Sequence, residues 1–456
     1  MSARGRGVIV VGGGLAGITA ALDCVDAGCA VTLLEARPAL GGLTSSFRRG
    51  ELDVDNGQHV FLRCCTAYRG LLRRLGSEDR VALQPRLAIP VRAPGRAGPA
   101  WLRRTPLLPA PLHLAGALLR YPLLRPVERL RLVAAALALR GVDPADPATD
   151  DRSFGDWLAG HGQSPRAIRA LWDLVGVATL NATAADASLA LAATVFQLGL
   201  LTEAPAADLG WPLVPLRALH GEPAMAQLRQ AGAVTQTGRK VDALVPFGPG
   251  WIVRAGGEEF VADQVILAVP PEAAERLLPA TSRPGRSPEL GSAPIVNVHV
   301  VYDRKVMDGD FFAAVDSPVQ WVFDRTGPAG LATGQYLALS LSAADAYVDL
   351  PVAALRDRFL PALAALLPAA ADATVRDFFV TRERQATFRP APGAARLRPP
   401  PATEHPGLWL AGAWTATGWP ATMEGAVRSG HAAAAGALGR RGAPLAHRDQ
   451  PAGVDR

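Results

Sequence analysis

Three glycines near the N-terminus, Gly12, Gly14 and Gly17, have the spacing of a phosphate cradle. They follow the β-branched run "VIVV" at 8–11, which suits a buried parallel strand. After them, Leu15, Ile18, Ala21, Leu22 and Val25 recur on one helical stripe that stops at Gly28. A second strand, "AVTLLEA" at 30–36, carries Glu35 near its tip, 18 residues beyond Gly17. Gly12 permits the tight turn, Gly14 lets backbone approach a pyrophosphate, and Gly17 lets helix pack on strand. The helix start at Leu15 and Ala16 then presents free N–H groups and a positive dipole end to phosphate. Glu35 can accept hydrogen bonds from a ribose diol. Strand, glycines, helix, strand and acid in this order predict a bound dinucleotide.

A second constellation lies at 55–76, "DNGQHVFLRCCTAYRGLLRRLG", where Asp55, Asn56, Gly57, Gln58 and His59 stand in a row before an apolar, basic stretch. A lone histidine is more often structural than catalytic, so the surroundings must decide its role.

At 456 residues the chain exceeds one ordinary core, and two or three domains are expected. With 49% hydrophobic and 19% charged residues it reads as globular. The net charge of +6 rests almost wholly on arginine, since Lys240 and Lys305 are the only lysines. No basic cluster is interleaved with aromatics, which argues against nucleic acid as a partner. Cys24, Cys29, Cys64 and Cys65 form neither a C-x-x-C pair nor a metal-spaced set with histidine, so no metal site is expected and the thiols suit a reducing compartment. The N-terminus runs from a basic start straight into strand and glycine turn, unlike a signal peptide. The stretch 105–119 is too short and too rich in proline to span a bilayer. A cytoplasmic location is expected.

Three further regions complete the layout. "PGLWLAGAWTATGWPATMEGAVRSGHAAAAGAL" (406–438) reads as strand, loop and a helix starting near Thr422 or Met423. Residues 232–278 alternate like a small antiparallel sheet and then give a buried strand, "QVILAVP", and a helix. Between 101 and 140 seven arginines face one acid, Glu128, among many leucines. That stretch is either an amphipathic cap or a surface that rests on the inner face of the cell membrane, arginines at anionic headgroups.

The residues after Glu35 extend the reading. "EARPALGGLTSSF" (35–47) continues into a second glycine pair, Gly41 and Gly42, and resembles the flavin-dependent amine oxidase and phytoene desaturase superfamily. The resemblance implies FAD. In that family the segment through Ala36, Arg37, Gly41, Gly42 and Leu43 runs along the pyrophosphate and ribityl chain, and the strand at Val241 lies near the adenine. The C-terminal segment, with Gly412, Ala413, Ala421, Thr422 and Met423, closes over the flavin, its helix N-terminus at the O2/N1 side. Two positions depart from the pattern. Leu43 stands where arginine is frequent, which leaves that phosphate contact to Arg37 or to backbone amides. Ala413 stands where an acid is usual, which removes a polar contact.

The fold class that follows is α/β: a Rossmann-like FAD-binding domain built from discontinuous segments (1–84, 226–290 and 396–440), with an α+β substrate domain (85–225 and 291–395) and a disordered tail at 441–456. Segment 55–76, "RERQATFRPAPG" (382–393) and "GAWTATGWPATMEGAVRSG" (412–430) are together similar to the hydroxysqualene dehydroxylase family, also called squalene-associated FAD-dependent desaturases. That resemblance implies reduction of an allylic alcohol, hydroxysqualene, to squalene in hopanoid-type triterpene synthesis. It places Gly57, Gln58 and His59 beside the isoalloxazine. Removing hydroxide from an allylic carbon needs a hydride, from the reduced flavin N5, and a proton. His59 is the expected donor, because its titration range suits general acid work near neutral pH. Gln58 and Asn56 are expected to orient the hydroxyl or the flavin edge, and Glu424 is the second candidate acid. The chain carries one dinucleotide fingerprint and no second one for a nicotinamide, so an external electron donor is implied. Two other readings stay open: a carotenoid or phytoene-type desaturase with hydride flowing the other way, and a non-catalytic flavoprotein that binds polyprenyl lipid.

Overall fold

A computed structural model describes residues 7–279 and 287–440, and the expected tail at 441–456 lies outside the described residues. At its centre is strand β1 (Gly7–Val11), whose Val8, Ile9, Val10 and Val11 are all buried. Such a run, apolar on both faces, belongs in a parallel sheet covered on both sides. Helix α1 (Leu15–Asp26) follows, and then β2 (Ala30–Glu35), parallel to β1. Strand Gln264–Leu267 lies on the other side of β1, with Leu408–Leu410 beyond it, and Val234–Thr237 flanks β2. All five strands are parallel, so three regions of sequence far apart build one sheet. The chain leaves β1 toward one edge and later returns to the other. The crevice for a ligand in such a sheet lies outside the carboxyl ends, at this reversal.

The C-terminal helix, Met423–Ala437, packs along α1. Gly430 makes this possible, since a Cβ there would sit 2.4 Å from the Ala16 carbonyl oxygen. Gly430 lies against Ala16 and Thr19, and His431 against Asp23, so the two helices run in the same direction.

A hairpin of β3 (Ser46–Arg49) and β4 (Leu52–Asp55) then delivers residues 55–59. Helix α2 (Thr66–Leu75) packs its Tyr68, Leu71, Leu72 and Leu75 onto the core under α1. Leu216, Leu219, Ala224 and Leu228 join that same core, so the change from one half to the other comes before the expected boundary at 226.

The second half is built on a seven-stranded sheet whose long strands are Ser292–Tyr302 and Val375–Phe388, joined by Gln335–Leu341 and shorter strands out to Ala88–Arg92 and Ala100–Arg103. Its pairs are antiparallel except Phe311–Ala314 with Ala88–Arg92. Helices cover it, as an α+β domain requires. Two of them, Leu112–Leu119 and Pro126–Leu139, carry the arginine-rich stretch. Among the described residues no helix is long and apolar enough to cross a membrane.

Candidate cofactor and redox site

The glycine turn and the glycine pair interlock. Gly14 bridges Gly41, and the Gly41 N–H donates to the Gly13 carbonyl at 2.8 Å. A Cβ on Gly42 would lie 2.9 Å from the Gly14 Cα, so only glycine fits that approach. At Gly12, with φ +106°, a Cβ would lie 2.3 Å from the Ala268 carbonyl oxygen. Helix α1 starts at Leu15 and Ala16 with no side-chain cap from Gly14. Its first N–H groups have no intrahelical partner and are the natural receptor for phosphate. Glu35 is buried at the end of β2, its Oε2 accepting from the Gly13 N–H and its Oε1 from the Arg37 N–H. Each oxygen keeps a second acceptor site for a ribose hydroxyl. These residues fit a dinucleotide: an uncapped helix start, close glycine backbone and a carboxylate one strand away.

Ala36 and Arg37 are exposed at the rim. The Arg37 guanidinium donates to the Gly42 carbonyl at 3.2 Å, while Leu43 stays exposed beside it. Residues 238 and 239 hydrogen bond to the Arg37 and Glu35 carbonyls, which sets Val241 next to the acid. Val241 itself is buried against Ile9, Val11 and Leu34.

Segment 55–59 is held from every side. Asp55 Oδ1 accepts from Ser46 Oγ (2.6 Å) and from the Leu216 N–H (2.9 Å), and Oδ2 accepts from Arg325 (2.7 Å). Asn56 is fully engaged: its amide accepts from the Ser45 N–H and donates to the Leu43 carbonyl, and its own carbonyl accepts from Asn297 and Thr381. Its side chain therefore positions the 43–45 segment, a role different from the expected one of orienting the hydroxyl or the flavin edge. Gly57 packs between the His59 ring and Asn297. The Gln58 amide nitrogen is buried without a partner among the described residues.

The half-buried His59 places Nδ1 3.1 Å from the Gly57 carbonyl oxygen. A carbonyl only accepts, so Nδ1 carries the hydrogen and Nε2 offers a lone pair. Burial lowers the pKa of this imidazole below the ordinary histidine value, outweighing the Gly57 carbonyl and Asp55, while Arg325 adds to the lowering. His59 therefore rests as the neutral imidazole at neutral pH and must first take up a proton before it can act as the expected donor. Behind it, His220 accepts or donates at 2.8 Å with the Tyr68 hydroxyl, and burial, helped by His59, lowers it to about 3.

Glu424 serves a different purpose from the one expected. Its fully buried carboxylate accepts from the Ala67 and Tyr68 N–H groups at the start of α2 and from Arg428 at 2.7 Å. Two of its three hydrogen bonds cap α2, the third holds Arg428, and its side chain has no exposure, so it is a capping carboxylate and not an acid facing substrate. Thr422 caps the C-terminal helix through the Gly425 N–H, with Met423 as first helical residue. Gly412, at φ +141°, donates to Ser429 Oγ, and Ala413 and Ala421 are half-buried in the loop between. Arg398 was not foreseen. It is buried and donates to the Ala413 and Thr415 carbonyls and to Thr417. No local sequence signal marks it, because its partners lie across a strand. Among the described residues no histidine, cysteine or carboxylate cluster is suited to a metal.

Residues 15–438 match the family described as flavin containing amine oxidoreductase. The hydroxysqualene dehydroxylase of Rhodopseudomonas palustris is 32% identical over 455 residues, covering 94% of this chain and 97% of that protein. The zeta-carotene desaturase of a Synechocystis strain is 27% identical, covering 94% and 96%. Among solved structures, a putrescine oxidase variant superposes with a TM-score of 0.73 at 20% identity over 95% of this chain and 99% of that one, which concerns the fold alone. The phosphate cradle, the acid at the end of β2 and a match over nearly the whole length agree: the chain belongs to the flavin containing amine oxidoreductase family and is an FAD-dependent oxidoreductase.

Proposed function

We propose that the protein reduces hydroxysqualene to squalene, as a step of hopanoid-type triterpene synthesis, with electrons from an external donor. The observation that carries this reading is that residues one apart in the chain each keep an unused polar group: the Gln58 amide N–H has no partner among the described residues, and the Gly57 carbonyl at Nδ1 leaves the Nε2 lone pair of a neutral His59 open. One donates to a hydroxyl oxygen and the other accepts its hydrogen, which is what an alcohol needs and a hydrocarbon lacks. A site with buried polar groups rejects an analogue that leaves them unpaired. Two relatives named hydroxysqualene dehydroxylase, 32% and 29% identical, support the same substrate class.

Reduced FAD supplies the hydride. The remaining balance is one C–O bond broken, one C–H bond formed and one proton added to the departing hydroxide to give water. Gln58 holds the oxygen, and His59 passes the proton through Nε2 from its protonated form, which burial keeps scarce at neutral pH. Asp55, Asn56 and Arg325 keep the segment rigid.

The substrate is a long hydrocarbon, so delivery from a bilayer is part of the proposal. Leu107, Leu112, Leu119, Leu130 and Leu137 are exposed, between the exposed Arg120, Arg125, Arg131 and Arg140. This face would rest on the inner surface of the cell membrane, leucines among acyl chains and arginines at anionic headgroups. Changing Arg120 and Arg125 to Glu is expected to weaken binding to anionic vesicles, and an unaltered partition would retire the membrane contact.

The deciding experiment incubates anaerobically reduced holoenzyme with hydroxysqualene and follows squalene together with flavin reoxidation. Stoichiometric squalene is expected. Reoxidation without squalene, or oxidised enzyme bleached by a carotene, would favour the desaturase reading, and no redox response to either would favour a lipid-binding flavoprotein.

A further inference from the structure

Arg398 is a buried cation with no carboxylate partner. The residue is 6% exposed, and among the described residues no Asp or Glu forms an ion pair with it. Its terminal nitrogen lies 3.0 Å from the Ala413 carbonyl oxygen and 3.0 Å from Thr417 Oγ1, and also reaches the Thr415 carbonyl. Its Nε is buried without a partner among the described residues, and the guanidinium carbon stands 4.7 Å from the Phe388 ring centroid. Asp150 acts on it only at longer range, and both Asp150 oxygens already accept, from Ser188 and from the Ala395 N–H. Carbonyl dipoles and an aromatic face solvate the charge but do not cancel it.

The position of that charge is informative. All three acceptors lie on the loop 413–417, which leaves the carboxyl end of strand Leu408–Leu410. Trp414 in this loop donates to the Val269 carbonyl, and Val269 and Ala268 abut Gly12 of the phosphate turn. On its other side Trp414 packs against the core of the seven-stranded half, as does Ala421. The loop therefore stands between the dinucleotide cradle and the substrate half, at the carboxyl edge where a redox ring must lie to meet a substrate. Ala413 brings no negative charge to offset the arginine.

We propose that Arg398 is a positioning residue that raises the reduction potential of the bound FAD. Taking up two electrons and one proton turns the neutral oxidised ring into a singly negative reduced one. A fixed cation in a poorly solvated loop favours the charged product over the neutral reactant. The inference rests on FAD binding and is independent of which substrate the enzyme reduces.

The test equilibrates holoenzyme with a reference dye of known potential during slow anaerobic reduction and reads the two spectra, with no substrate present. In Arg398→Gln the ratio of reduced to oxidised flavin at a given dye potential is expected to fall about tenfold, which is ~30 mV for a two-electron couple. Arg398→Lys, which keeps the charge, is expected to stay within about twofold of the parent. An unchanged ratio in the glutamine variant overturns the proposal. So does a lysine variant that shifts as far as the glutamine one, because hydrogen bonding and not charge would then be responsible. Should the glutamine variant fail to retain flavin, the unmodified protein still decides: its bound FAD must be more easily reduced than free FAD, and a bound potential below the free one overturns the idea.

Discussion

Arg325 reaches Asp55 across the two halves of the molecule, nitrogen to oxygen 2.7 Å, with side chains only 7% and 3% exposed. Arg325 follows strand Trp321–Asp324 of the seven-stranded sheet, while Asp55 closes β4 and begins segment 55–59. The same arginine donates to the Pro212 carbonyl, and Asp55 also receives the Leu216 N–H. This ion pair, with the Asn297 and Thr381 hydrogen bonds to the Asn56 carbonyl, fixes the place of Gln58 and His59 relative to the seven-stranded half.

Replacing Asp55 with Ala leaves that arginine buried without a counter-charge. A loss of about 3–5 kcal/mol is expected, read from urea unfolding of the holoenzyme. Changing Asp55 and Arg325 together to apolar residues should recover much of it. If the single variant is as stable as the parent, the pair does not hold the halves together.

For His59→Ala, flavin should remain bound while turnover slows by about a hundredfold. The pH dependence has a definite sign. Burial lowers the pKa of His59, so its protonated form becomes common only below the ordinary histidine range, and turnover should rise as pH falls toward and below that range. A rate that is flat with pH, or that climbs toward alkaline pH, would remove His59 from proton delivery.

Glu424→Ala removes three hydrogen bonds from the junction of α2 and the C-terminal helix. About 3 kcal/mol of stability is expected to go, visible as a lower melting temperature. The rate per bound flavin should change by less than about twofold. A collapse of the rate with stability intact would restore Glu424 as a reacting acid.

Acid should destabilise the protein well above the pH at which its carboxylates titrate. His220 and His299 are each lowered to about 3, mainly by burial, with His59 and Arg49 respectively adding to it. Below about pH 6.5 the unfolded chain takes up protons at these residues while the native protein does not. Stability then falls by ~1.4 kcal/mol per pH unit for each histidine. Equal unfolding midpoints in urea at pH 7 and pH 5 would contradict this.

Much of the cofactor half is legible in the sequence because its signals are local. A β-branched run, a glycine turn, a helix stripe and an acid at a strand end are each set by neighbouring residues, and they agree with β1, α1 and β2 nearly to the residue. The start of the C-terminal helix was readable for the same reason, Thr422 being a natural cap. Roles of the residues in segment 55–59 and of Glu424 were not readable, since they depend on partners remote in sequence. Glu424 looks like a free acid until α2, 357 residues earlier, is placed on it, and Asp55 finds Arg325 270 residues away. His59 has the sequence of a titrating acid, but the protein packed around it removes the water that would stabilise its charge. The sequence by itself determined the strand, glycine turn and helix start whose shape suits a dinucleotide; only the folded chain decided which side chains stay neutral, which are consumed in capping, and where the buried cation Arg398 stands, because burial and long-range pairing exist in three dimensions alone.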